Sequence, residues 1–202
     1  TGSGDKTIRF WNICHVSPKE LQGKYIRNIY SKDLSRILYV SKSMNHFKAS
    51  VSAFDEEGSI KCLKCSPCGK YVASGDATGV LRVHQIETLD EALQIQAHDS
   101  DILCMDYTGS EPAEGKSPNT LGTLLATGSR DRLIHIFDAD NNFKPVTTID
   151  DHSSSISDLC FVKCDGVQRL VSCGADKAII YRNLNGNSVT RYYQSLQKKK
   201  IY

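Results

Sequence analysis

The sequence lacks any apolar run long enough to form a membrane-spanning helix, and its first residues, TGSGDKTIRF, do not have the shape of a signal peptide. It also has no N-x-[ST] sequon. Charge of one sign is scarce: the net charge is +2 over 202 residues, too small to imply a nucleic-acid or membrane partner. Neither GSGDKT nor CGK has the G-x4-G-K-[ST] spacing of a phosphate-binding loop. Cysteine, by contrast, is plentiful, with 8 residues. Without secretory features, and with most cysteines inside strand-like runs, they read as reduced thiols that pack as small apolar groups. Cys62, Cys65 and Cys68 spell C-x2-C-x2-C, but a structural zinc site needs four ligands. Residues three apart on a strand also face opposite sides of the sheet. No metal, and no cofactor of any kind, is expected.

What is present is a repeat. Four times a strand-like run stops at a small turn and restarts as an alternating apolar run: GSGDKTIRFWN, ASGDATGVLRVHQ, ATGSRDRLIHIFD and SCGADKAIIYRN. Aligned, they bring Asp5, Thr78, Asp131 and Asp176 into one register, and Trp11, His84, Phe137 and Arg182 into another. Each full unit reads as four short strands, rich in β-branched and aromatic residues and separated by turn residues. The expected strands are 60–66, 71–74, 80–85 and 92–96, then 102–107, 123–127, 133–138 and 145–149. The last set is 156–162, 169–172, 178–183 and 189–193. The expected core is Leu63, Val72, Leu81, Leu103, Leu125, Ile134, Leu159 and Leu170.

This pattern resembles WD40 blades, whose period is about 40–45 residues. The fold class expected is all-β, a WD40 β-propeller segment of three complete four-stranded blades and one partial blade. The organisation expected is a partial blade over 1–40, an insertion over 41–59, blades over 60–97, 98–151 and 152–197, and a basic tail over 198–202. The third unit carries an inserted polar loop over 109–122. A ring of about seven such blades would need roughly 290 residues. The chain is therefore expected to be part of a larger propeller, needing the remaining blades and prone to associate when isolated.

His98, Thr127 and Asp131, and again His152, Ser172 and Asp176, contain the ingredients of a hydrolytic triad. A nucleophile repeated in every blade is hard to reconcile with one active site. In WD40 blades the same trio marks a structural hydrogen-bond network, in which buried His and Asp satisfy one another. That network would end on an indole N–H. Trp11 fits, whereas the blades carrying His84, Phe137 and Arg182 should close with fewer polar bonds, and Thr78 replaces the Asp in the second unit. Loops on rigid scaffolds carry recognition, so the turns 76–79, 129–132 and 174–177 and the loops 98–101 and 152–155 should form one binding face. Asp76, Arg130, Arg132 and Lys177 are its candidate partner contacts. RDRLIHI, a basic-then-aliphatic run, lies in a strand and so is not available as a free docking peptide.

Several stretches are more particular: DHSSSI, SRDRLIH and SCGADK, within SPCGKYVASGDATGVLRVHQI, QAHDSDILCMDY, LATGSRDRLIHIFD, DDHSSSISDLCFV and VSCGADKAIIYRN. Together they resemble the family of mitogen-activated protein kinase-binding protein 1 and WD repeat-containing protein 62. The resemblance implies a long intracellular, cytoplasmic scaffold with paired propellers, associated with c-Jun N-terminal kinase signalling and, in one branch, with spindle poles and centrosomes. It also implies that kinase docking lies beyond these residues. A non-catalytic platform for other proteins is therefore expected. The alternatives are a ubiquitin-ligase substrate receptor, a microtubule adaptor and, remotely, a propeller hydrolase using His98, Thr127 and Asp131.

Overall fold

A computed structural model describes residues 1–11, 34–40, 58–109, 122–164, 167–185 and 188–194. Fourteen strands and no helix occur among them. The first two, β1 (Thr7–Trp11) and β2 (Leu34–Tyr39), form an antiparallel pair. The second sheet comprises β3 (Ile60–Cys65), β4 (Tyr71–Asp76), β5 (Val80–Gln85) and β6 (Glu91–Gln96) in sequence order. The third comprises β7 (Ile102–Tyr107), β8 (Leu124–Ser129), β9 (Ile134–Asp138) and β10 (Lys144–Ile149). The fourth comprises β11 (Ile156–Cys164), β12 (Val167–Gly174), β13 (Ile179–Asn185) and β14 (Ser188–Gln194). These are three four-stranded meanders and part of a fourth, the all-β blade architecture. The basic tail and most of the 41–59 and 109–122 insertions lie outside the described residues.

The apolar cores lie between the sheets. Ile8, Leu38, Val40 and Ile60 join the partial blade to the second. Ala73, Leu81, Val83, Ile102, Met105, Leu125 and Phe137 fill the next interface. Ala126, Ile134, Ile136, Ile156, Leu159 and Leu170 are among those filling the last. Strand β8 is buried along its whole length because successive residues serve different interfaces: Leu125 faces the second blade, while Leu124 and Ala126 face the fourth. Repeat units of this kind bury each other's faces. The sheets approach closely at Gly128, where an added Cβ would stand 2.8 Å from both Cys104 Sγ and Ile156 Cγ2.

The first strands of the three complete blades, β3, β7 and β11, pack beside one another in sequence order. Asp106 ties them together, accepting from Lys64 Nζ at 2.8 Å and from the Phe161 N–H at 2.8 Å. Two core expectations need correction. Leu63 and Leu103 are only half-buried, whereas Val72, Leu81, Leu125, Ile134, Leu159 and Leu170 are buried. The cause is a register shift near the start of β3, between Ile60 and Cys62, and another in β7, between Ile102 and Cys104. A bulge breaks strict alternation and re-aims the residues beside it, so Ile102 and Cys104 take the buried positions.

Candidate interaction face

Each blade's second and third strands meet in the same tight turn. Ser3, Asp76, Ser129 and Gly174 accept, through their carbonyls, the N–H of the residue three places on, at 3.1–3.3 Å. These turns meet the loops that enter the first strands: Ala77, Arg130 and Ala175 donate N–H bonds of 2.9–3.0 Å to the carbonyls of Ser59, Asp101 and Ser155. Turns and entry loops therefore share one end of the blades. The end of β7 and the start of β8, Tyr107 and Leu124, lie at the opposite end.

Below this face lie the repeated networks. In the third blade, His98 Nδ1 donates to Asp131 Oδ2 at 2.9 Å, and Thr127 Oγ1 is 2.8 Å from His98 Nε2. Asp131 Oδ2 also accepts from the Asp99 N–H at 3.2 Å, and Oδ1 from the Leu133 N–H at 2.9 Å. Burial pushes the His98 pKa down, against the opposing pull of Asp131, so a neutral ring with its proton on Nδ1 suits both bonds. Burial pushes the Asp131 carboxyl up, but the Leu133 amide and His98 outweigh it, and the net shift is downward. His135 packs against His98 with ring centroids 4.4 Å apart and planes tilted by 45°, and its Nδ1 lies 2.8 Å from Thr148 Oγ1.

The fourth blade repeats the arrangement. His152 Nδ1 lies 2.8 Å from Asp176 Oδ2, and Nε2 2.7 Å from Ser172 Oγ. Burial pushes the Asp176 carboxyl up, but bonds from His152, the Ala178 amide and the Ser153 amide bring it down overall. Thr127 and Ser172 are 0% and 1% exposed. A nucleophile must be reached by its substrate, and these hydroxyls cannot be.

The expected weak closure of this blade needs correction. Arg182 supplies the N–H that Trp11 supplies in the first unit. Trp11 Nε1 donates to Thr1 Oγ1 at 3.1 Å, and Arg182 Nη1 to Ser172 Oγ at 2.8 Å. Arg182 Nε also donates to Asp151 Oδ2 at 2.8 Å. The second blade likewise departs from expectation. Asp76, and not the residue aligned with Asp131, caps its turn: its Oδ1 accepts from the Thr78 N–H at 2.9 Å, the Thr78 hydroxyl at 2.7 Å and the Val80 N–H at 3.0 Å. Its Oδ2 pairs with Arg82 at 2.6 Å. At 2% exposure Asp76 is buried, so it does not belong among exposed partner contacts. Ser74 Oγ and His84 Nδ1 in this blade are buried without a hydrogen-bond partner among the described residues.

Arg130, Arg132 and Lys177 are exposed on the face. Arg130 pairs with Asp101 at 3.1 Å while remaining 63% exposed. The three cysteines of the C-x2-C-x2-C string separate. The Cys62 thiol donates to the Ile102 carbonyl at 3.2 Å, and burial raises its pKa to about 12, whereas Cys65 and Cys68 are exposed.

The blade geometry has counterparts among known proteins. The family described as WD domain, G-beta repeat matches residues 47–85, 90–138 and 143–181. The chain belongs to the WD40-repeat family. Each matched segment ends at or within a blade's third strand, so residues 90–138 span β6 of one blade and β7, β8 and β9 of the next. The chain is 39% identical over 216 residues to human (Homo sapiens) mitogen-activated protein kinase-binding protein 1, covering 100% of this chain and 14% of that protein. It is 36% identical over 217 residues to Mus musculus WD repeat-containing protein 62, covering 100% of this chain and 13% of that protein. These similarities set the WD40 repeats of this chain beside those two proteins. A solved structure of U3-55K superposes with a TM-score of 0.55 at 24% identity, covering 69% of this chain and 41% of that one. That likeness concerns the propeller fold.

Proposed function

We propose that this chain is a non-catalytic protein-interaction platform within a cytoplasmic scaffold of MAP-kinase signalling or spindle-pole organisation. The observation carrying this reading is the division of labour at one end of the blades. The Ser/Thr–His–Asp networks are buried and spent on holding the turns, while the side chains projecting beyond them, Arg130, Arg132 and Lys177, are exposed. Rigid turns on a buried network suit recognition, since little ordering is left to be done on binding. The kinase-binding name of the human relative supports the signalling role, and these residues would supply the platform beside a kinase contact made elsewhere in that scaffold.

The test is Arg130→Glu with Arg132→Glu in the full-length protein, read by quantitative co-purification and by thermal melting. Loss of at least one partner at unchanged melting temperature is the expected result. An unaltered partner set would remove the face from the reading. The hydrolase alternative is disfavoured by the burial of Thr127, and nothing among the described residues favours a ubiquitin-ligase or microtubule role over a kinase scaffold.

A further inference from the structure

Lys6, Gly79, Arg132 and Lys177 occupy one equivalent turn position, and all four have positive φ: 63°, 85°, 77° and 63°. This is the left-handed region that glycine enters without penalty and other residues enter at a cost. Glycine is dictated only in the second blade, where a Cβ on Gly79 would run into the His98 carbonyl oxygen. The other three turns each place a cation at the position where glycine would be less strained.

The neighbouring carboxylates do not neutralise Arg132 and Lys177. Asp131 and Asp176 stand one residue earlier, but their oxygens turn inward to His98 and His152 and to backbone amides. Arg132 and Lys177 are exposed on adjacent blades, and neither side chain has a hydrogen-bond or ion-pair partner among the described residues. Arg130 lies two residues before Arg132 and keeps most of its surface open. Exposed acids on the same rim, Asp99 and Asp150, break the field into spots, which disfavours a uniformly charged polyanion such as nucleic acid.

We infer that Arg132 and Lys177, flanked by Arg130, form a bidentate site for an acidic, extended protein segment that crosses from the third blade to the fourth. This rests on the platform reading above and names the chemistry of its partner. Two separated cations select carboxylates at two places along a segment, and the turns, held by the buried networks, fix the backbone from which those cations project.

The left-handed geometry supplies a clean test. Arg132→Gly with Lys177→Gly removes both charges while relieving the backbone, so the double variant should melt no lower than the parent. Arg132→Gln with Lys177→Gln removes the charges without changing backbone freedom and serves as the second variant. Binding is read by fluorescence anisotropy with the full-length protein and a labelled peptide of alternating Glu and Ser, beside its Gln and Ser counterpart and an oligothymidylate. The Glu peptide should bind more tightly than both controls, weaken with added salt, and lose about tenfold in affinity in either double variant. Equal binding of Glu and Gln peptides, tighter binding of the oligonucleotide, or unchanged affinity in the variants would overturn the inference. If cellular partners still co-purify through the Arg130 and Arg132 face while the Glu peptide fails, the acidic specificity falls and the platform reading stands. If neither binds, both fall.

Discussion

Arg182 and Asp151 face each other at 2.8 Å inside the fourth blade, with 0% and 2% of their side chains exposed. The guanidinium also reaches Ser172, so one cation closes the blade's polar network and neutralises a buried carboxylate. Removing one member of such a pair leaves the other buried without its counter-charge. Arg182→Met should therefore cost about 3–5 kcal/mol. Arg182→Met combined with Asp151→Leu should recover much of that loss. Urea unfolding of the three proteins checks both statements, and equal midpoints for parent and Arg182→Met would contradict the first.

Thr127→Ala removes the hydroxyl beside His98 Nε2 and leaves a buried ring nitrogen unsatisfied. The expected loss is about 1–3 kcal/mol of folding stability. A structural network predicts a lower thermal midpoint in this variant. A catalytic one would instead lose turnover with its midpoint unchanged.

Acid should destabilise the third blade in two stages. His98 and His135 have folded-state pKa values pushed below the ordinary 6.5 by burial, so the unfolded chain binds protons first. Their contribution is fully present above pH 6.5 and is lost as pH falls towards the depressed folded values. The net downward shift of Asp131 adds a second loss below its ordinary 3.8, again as pH falls, and that of Asp176 adds the same kind of loss in the fourth blade. Unfolding midpoints measured across this range should decline from the neutral side, and His135→Gln should flatten the upper stage.

Gly128→Val should destabilise through packing. Its added carbons would meet Cys104, Ile156 and Leu159, each within 3.0 Å of an ideal Cβ, where the third and fourth blades pack together. Overpacking of this kind costs about 1–3 kcal/mol. Cys104→Ala in the same chain should return part of the loss, measured by thermal melting, because the sulfur at 2.8 Å is one of the clashing atoms.

The blade order and the His98 and His152 trios were legible because they recur at fixed offsets from an unmistakable turn. The polar closure of the fourth blade was not, because matching Arg182 to Trp11 by residue type hid what they share, an N–H donor at the same height. Asp151 gave no signal of its own, sitting beside His152 in what reads as a polar loop. In the second blade alignment pointed to Thr78, whereas a carboxylate two residues earlier reaches, from the start of the turn, the Val80 amide that is equivalent to the Leu133 amide held by Asp131. Leu63 and Leu103 were misplaced because a bulge is a backbone event with no residue signature in these strands.

The offset between the matched repeat and the blade has a consequence for how such a chain can change length. Excising residues 90–138 would take β6 from one sheet and β7, β8 and β9 from the next. What remains, β3, β4 and β5 followed by β10, is again four strands in meander order, with β10 joined to the chain where β6 had been. Duplication of the same segment works in reverse. The inherited unit can thus be counted up or down in whole steps, and every step leaves neighbouring sheets stitched together by a strand that belongs to one repeat and lodges in another's blade.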